Sequence, residues 1–239
     1  MNSDAQVSKG LASNELFYTE LYDQFARIGK AVSNGHRIAL LDFLAQGERC
    51  VESLANLANL SVANTSRHLQ HLKEAGLVRT RKDGQFVYYR LADDNVLKFL
   101  KVLRNIAAHE RVAIPRLVES YLSTRDSLSA VSGDEVQTRM RDGEPITIID
   151  VRPPAEYRAG HVRGAINIPL EELAAHIQHL PKESLLVVYC RGPYCVLAYD
   201  AVNQLRAGGF NAQRMDEGYP EWKLAGLPID EKVANANNA

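Results

Sequence analysis

The sequence predicts two domains: a mainly helical one carrying a short β-hairpin, then an α/β one with a mainly parallel sheet. Three observations carry this. The chain has 239 residues, which suits two modest cores better than one. Its apolar pattern changes midway, from spacings of three and four to short solid apolar runs separated by helical stretches. Its charge changes at the same place: residues 1–125 hold 17 Lys and Arg against 13 Asp and Glu, a net of +4, while residues 126–239 hold 11 against 16, a net of −5. A basic half joined to an acidic half suggests different partners, nucleic acid for the first.

Composition narrows the class. The chain is 46% hydrophobic and 24% charged, enough to fill real cores. No apolar run reaches the roughly 18 residues of a membrane helix, so no membrane partner is expected. The opening MNSDAQVSKG has no apolar stretch like that of a secretory signal. Three cysteines make no disulfide framework, and together these features point to a reducing cytoplasm.

In chain order, residues 1–14 are polar and are expected to be loose. Leu16, Phe17, Leu21, Phe25, Ile28 and Val32 predict a helix over 15–33. HRIALLDFLAQ predicts a second over 36–46, ended by Gly47, and VESLANLA a third over 51–58. LSVANTSRHLQHLKEAG gives a short turn and a fourth helix, over about 62–75, stopped at Gly76. In LVRTRKDGQFVYYRLA two β-rich runs flank Asp83-Gly84, a hairpin signal. Val96, Leu97, Leu100, Leu103 and Ile106 mark a long helix over 95–122. The first domain therefore spans 15–122, and STRDSLSAVSG at 123–133 reads as a linker. The second domain spans 127–232. Ser132 and Glu135 open a helix with a capping-box pattern. ITIIDV and LLVVY predict covered parallel strands at 146–151 and 185–189. A helix over 195–207 closes at Gly208-Gly209, and VANANNA at 233–239 is a loose tail.

Two short helices joined by a tight turn and followed by a hairpin describe a winged helix-turn-helix. On the 62–75 helix, Val62, Thr65, Leu69 and Leu72 fall on one side. Ala63, Asn64, Arg67, Gln70, His71 and Glu74 fall on the other. Asn and Gln suit adenine edges and Arg suits guanine. Arg79, Arg81 and Lys82 put positive charge on the wing, where phosphates would lie. The stretch from His36 to Leu91, with its S-x-x-x-x-S-x-H-L-x-x-L-x-x-A-G-L-V string, resembles the ArsR-type family of dimeric bacterial repressors over about residues 17–112. The resemblance implies an operator DNA partner, a reading helix at 62–75, and a homodimer built by the helices 15–33 and 95–122. That family often senses metals through a Cys-Val-Cys box. Here the box reads Cys50-Val51-Glu52, so the second thiolate is missing, and one cysteine cannot supply the soft ligands a metal needs. His109 and Glu110 are adjacent on a helix and diverge. No metal and no cofactor are expected. Cys50 is either a half-buried apolar residue or a sensor thiol.

VVYCRGPYCVLA at 187–198 runs a strand into Cys190, then a turn of Arg191, Gly192, Pro193, Tyr194 and Cys195, then a helix from Val196. Such a turn can aim backbone N–H groups at one point, and the helix start adds partial positive charge. Both favour a reactive, accessible thiolate at Cys190, and Arg191 is expected to add charge. IIDVRPPAEYRAGHVRGAINIPL at 148–170 and DEGYPEWKLAGLPI at 216–229 resemble the two signatures of the rhodanese domain, over about residues 127–232. The resemblance implies that Cys190 takes a sulfane sulfur as a persulfide, from a donor such as thiosulfate or polysulfide, and passes it to a thiol acceptor. It also implies that Asp150 and Arg152 form a structural pair and that His161 is a structural hydrogen bonder. Related phosphatases end a longer loop in Arg, whereas position 196 here is Val. Many rhodaneses carry Arg or another polar residue where Cys195 stands. Cys195 either faces Cys190 and resolves its persulfide into a disulfide, or points along the helix as packing. The functional expectation is a DNA-binding regulator, a repressor by resemblance, whose second domain senses or handles sulfane sulfur. A sulfurtransferase with an autoregulatory DNA-binding half, or an arsenate-reductase-like or redox disulfide sensor, are the alternatives.

Overall fold

The computed structural model describes residues 2–110, 113–123 and 130–231. The chain divides into two compact units, Met1–Leu44 with Arg49–Asp93, and Ala45–Glu48 with Asp94–Ala239.

The first unit holds α1 (Asn2–Val32), α2 (Gly35–Leu44), β1 (Arg49–Cys50), α3 (Val51–Ala58), α4 (Val62–Glu74), β2 (Val78–Asp83) and β3 (Phe86–Leu91). Its core is Leu40, Leu41 and Leu44 of α2, Leu54 of α3, and Leu69 and Leu72 of α4, all nearly sealed from solvent. α3 ends at Asn59, whose φ of 51° is left-handed, a conformation Asn tolerates better than most residues. Two residues on, the Ser61 hydroxyl caps α4 by accepting from the Asn64 N–H at 3.3 Å. α4 stops as expected. Gly76 adopts φ +74°, its N–H reaches Lys73 O at 2.9 Å, and the Leu77 N–H reaches Leu72 O at 2.9 Å. β2 and β3 pair antiparallel from Val78↔Leu91 to Asp83↔Phe86, and β1 pairs on the far side of β3. The left-handed turn residue is Gly84, at φ +58°. α1 differs from the expectation: it begins at Asn2, so helix replaces the loose chain expected over 2–14.

The second unit starts with α5 (Asp94–Glu110), α6 (Ala113–Val118) and a π-turn, Glu119–Ser123. The helix expected over 95–122 is described as α5 and α6, with residues 111–112 between them outside the described residues. α5 packs on α11 (Tyr219–Leu224), which puts the packing boundary at Asp94 rather than at the linker. The linker expected at 123–133 falls mainly, and the tail at 233–239 wholly, outside the described residues. Then follow α7 (Gly133–Arg141), β4 (Ile146–Asp150), α8 (Pro154–Ala159), β5 (His161–Val162), β6 (Ile166–Asn167), α9 (Leu170–His176), β7 (Leu185–Tyr189), α10 (Val196–Ala207), β8 (Ala212–Arg214) and β9 (Ile229–Asp230). The Ser132 hydroxyl caps α7 by accepting from the Glu135 N–H. Strands β6-β4-β7-β8 form one parallel sheet, and β5 pairs with β9 in a small antiparallel one. Alternate residues of β4 and β7 face opposite cores. Ile149, Leu186, Val188 and Cys190 pack with Ala201, Val202 and Leu205 of α10, and Ile148, Val187 and Tyr189 pack with Trp222. Covered on both faces, the strands read as solid apolar runs.

Candidate functional site

The helix expected to read DNA is α4. Ala63, Arg67, Gln70, His71 and Glu74 are exposed on α4, Asn64 is half-buried, and Thr65, Leu69 and Leu72 are buried behind them. Val62 departs from its predicted side and is 48% exposed, because it is the first residue of the helix, next to the Ser61 cap. Gln70 donates to Glu74 at 3.0 Å. On the wing, Arg79, Arg81 and Lys82 are exposed. Arg81 lies 4.9 Å over the Tyr88 ring and pairs with Asp83 at 3.0 Å, so part of its charge is already met. His68, half-buried on the same helix, has its pKa lowered by burial first and then by the charges of Arg37, His36, His71 and Arg67. Cys50 is half-buried at the start of α3, and its thiol is free.

The cysteine loop is the candidate chemical centre of the second unit. β7 delivers Cys190 at its end, and Cys195 stands at the N-cap of α10. The two are joined by a disulfide, with Cα atoms 6.1 Å apart, inside the range a bridge requires. This resolves the orientation of Cys195: it faces Cys190. Cys190 is only 1% exposed and belongs to the core on one face of the sheet, where an accessible thiol was expected. Cys195 is half-buried.

The loop backbone is held at several points. The Cys195 N–H closes the turn on Gly192 O at 3.1 Å, and the Tyr199 hydroxyl reaches Pro193 O at 3.5 Å. The Tyr219 N–H donates to Cys190 O at 3.2 Å. Gly218 backs the loop so closely that an added methyl would lie 2.3 Å from Gly192 N. Tyr194 and Val196 are exposed.

Arg191 does not turn its charge toward the sulfur. Its guanidinium forks onto Glu156, with Nη2–Oε1 at 2.7 Å and Nε–Oε2 at 2.9 Å, and Glu156 is buried. The charge expected to favour a thiolate is largely spent on this pair.

Beneath the loop lies a buried polar network. Arg152 and Asp150 pair at 2.6 Å with both side chains fully buried. The Tyr189 hydroxyl donates to Asp150 at 2.5 Å, and Arg152 also donates to Gly160 O at 2.8 Å. Burial opposes the charge on Arg152, but the hydrogen bond and charge of Asp150 outweigh it, so its pKa is raised. Burial, with the Asp150 charge behind it, pushes the Tyr189 hydroxyl well above its usual range, so it remains a donor. His161 stacks on Tyr157 at 3.7 Å and its Nδ1 meets Tyr157 O at 2.9 Å.

Sequence reasoning missed three supports of this site. Glu156 and Tyr189 stood inside quoted motifs, but their partners were not readable from spacing. Gln46 gave no signal. It is buried, donates to Arg191 O at 3.2 Å, and accepts from Arg152 at 3.1 Å.

Comparison with known proteins agrees with both halves. Residues 34–80 match the family described as bacterial regulatory protein, arsR family, and residues 132–225 match the rhodanese-like domain. The chain is 43% identical over 211 residues to the HTH-type transcriptional regulator Rv0324 of Mycobacterium tuberculosis, covering 88% of this chain and 92% of that one. It is 26% identical over 103 residues to a sulfurtransferase of Allochromatium vinosum, covering 43% of this chain and 94% of that one. Among solved structures, it is similar to the solution structure of the homodimeric winged helix-turn-helix domain (fragment 1–100) of Mb0332 from Mycobacterium bovis. The two are 41% identical, with 39% of this chain and 86% of that one covered and a TM-score of 0.37. Among the described residues, no helix is long and apolar enough to cross a membrane.

Proposed function

Because the chain belongs to the arsR family of bacterial regulatory proteins and carries a rhodanese-like domain, we propose that it is an operator-binding repressor whose cysteine loop reports on sulfane sulfur. The observation that carries this is the Cys190–Cys195 bridge. Two thiols that can close on each other, at the mouth of a strand–turn–helix, make a switch with two covalent states.

The chemistry runs in two steps. The Cys190 thiolate attacks the outer sulfur of a persulfide or polysulfide donor R–S–SH, forming Cys190–S–SH and releasing RS⁻. The Cys195 thiolate then attacks Sγ of Cys190. The Cys190–Cys195 bond forms, the S–SH bond breaks, and HS⁻ leaves. The two thiols give up two electrons, and the sulfane sulfur is reduced to sulfide.

In the dithiol state the loop backbone and the start of α10 must offset the apolar packing around Cys190, which by itself disfavours a thiolate. The carbonyls of Cys190 and Pro193 are bonded to Tyr219 and Tyr199, outside the loop. In a trans peptide the next N–H points the opposite way, so the Arg191 and Tyr194 N–H groups turn away from those partners. The start of α10, a helix of 12 residues, adds partial positive charge beside Cys195. With Arg191 committed to Glu156, this backbone field is the main source of thiolate stabilisation. A reducing compartment would keep both thiols reduced between signals.

The reading includes a homodimer. Phe17, Tyr22, Phe25 and Ile28 of α1, and Val102 and Ile106 of α5, are large apolar residues left exposed in a single chain. Cys50 is assigned to packing, since the first unit offers it no second cysteine.

Mass spectrometry of the dithiol protein after polysulfide treatment tests the chemistry. The expected product is a Cys190–Cys195 bridge with release of sulfide, and a stable persulfide at Cys190 in Cys195→Ser. Absence of added sulfur or of a bridge at Cys190 rejects it. A second reading, favoured by the relative named a sulfurtransferase, is transfer of the Cys190 sulfur to an external thiol. Multiple turnovers, abolished in Cys190→Ala, would identify that activity.

A further inference from the structure

Ala45–Glu48 lies between α2 and β1 in the chain, yet these four residues pack with the second unit while α2 and β1 belong to the first. Gln46 anchors the segment. Its side chain is 1% exposed, and both ends of its amide are engaged within the second unit. Oε1 accepts from Arg152 Nη1 at 3.1 Å, and Nε2 donates to Arg191 O at 3.2 Å. Gly47 follows with φ +142°, and an added methyl there would lie 2.8 Å from the Ala159 side chain, so the segment approaches α8 about as closely as glycine allows.

The two ends of Gln46 meet different partners. Arg152 is locked by Asp150 and Gly160 O, so the Oε1 end has a fixed reference. Arg191 follows Cys190 directly and lies in the loop that the bridge closes. When the bridge opens, the two sulfurs part from bonding to van der Waals distance, and the backbone between them is released from the constraint of the bridge. A buried amide that loses its acceptor pays a desolvation penalty, so Gln46 follows Arg191 O rather than releasing it. Gln46 is joined through Ala45 to the end of α2 and through Gly47 and Glu48 to β1, and both elements belong to the first unit, which also holds α4.

We infer that Gln46 is a positioning residue that reads the covalent state of the cysteine loop at Arg191 O and passes it along the chain to α2 and β1. The inference rests on the sulfane-sulfur reading above and names its route to the DNA-binding unit.

Full-length Gln46→Glu is the discriminating variant. Its carboxylate still accepts from Arg152 but cannot donate to Arg191 O. Operator affinity is measured by fluorescence anisotropy for the dithiol and the polysulfide-treated forms, with mass spectrometry in parallel to count bridges. The wild-type forms should differ on the order of tenfold, a usual size for coupling between sites. In Gln46→Glu the bridge should still form to completion and both forms should bind, but their affinities should agree within about twofold. A wild-type ratio in Gln46→Glu overturns the inference and leaves the sulfur reading standing. Equal affinities of the two wild-type forms overturn the sulfur reading, and this inference with it. Gln46→Met, which removes both bonds at similar length, is the second probe. If it melts near the wild-type temperature and keeps the wild-type ratio, the inference also fails.

Discussion

The reading face of α4 and the cysteine loop are built in opposite ways. On α4, Arg67, Gln70 and His71 end in solvent, and the helix beneath them is held by Leu69 and Leu72 on its other side. At and beneath the loop the charged and sulfur-bearing side chains are paired: Arg191 is tied to Glu156, Arg152 to Asp150, and Cys190 to Cys195. A recognition face must offer exposed groups to a partner, even where two of them share an exchangeable bond as Gln70 and Glu74 do. A thiol switch must hold its loop in defined positions, so its groups are over-determined and fail together.

That contrast can be broken at both ends. The largest effect is expected from Arg152→Leu, which leaves Asp150 buried without its counter-charge. Removing one partner of such a pair costs roughly 3–5 kcal/mol, and urea unfolding should show the loss in the second unit only. A loss below ~1 kcal/mol would mean the network is not over-determined. Next is Arg67→Ala, expected to lower operator discrimination by roughly 1–3 kcal/mol while leaving thermal stability unchanged. A uniform loss of affinity across sequences would reassign Arg67 to phosphate contact. Ser61→Ala removes the cap of α4 and should cost about 1 kcal/mol in the stability of the first unit, read by its melting transition.

The smallest effect concerns pH. His68 has its pKa lowered from 6.5, so the folded unit binds fewer protons than the unfolded one. Its contribution to stability is complete above pH 6.5 and is lost as the pH falls from there through the folded value. Between about pH 7.5 and about pH 5.5, the wild-type melting temperature should fall more than that of His68→Gln. Parallel curves would remove His68 from the account.

Much of this was legible in the sequence, wherever the signal was local. Gly76 and Gly209 mark helix ends because each takes a left-handed φ that the closing turn needs. LLVVY coincides with β7 because a doubly covered strand is apolar throughout. Ser132 caps α7 as its spacing to Glu135 implied. What was not legible depends on distance or on context. Gln46 and Arg191 are separated by 145 positions, and no periodicity links them. The Glu156 partner of Arg191 lies 35 positions away, so the loop arginine looked like free charge. Residues 2–14 are polar, and only the structure shows that α1 runs through them. Cys190 sits on a turn, which suggested access, yet it ends a central strand whose neighbours on that face are all core.

The central claim is that operator binding follows the covalent state of Cys190. Its most direct test is an operator titration of wild type and Cys190→Ser, each before and after polysulfide treatment at fixed salt. The account predicts a shift of roughly 5–150-fold in wild type and none in Cys190→Ser. An equal shift in both proteins, or no shift in either, would contradict it.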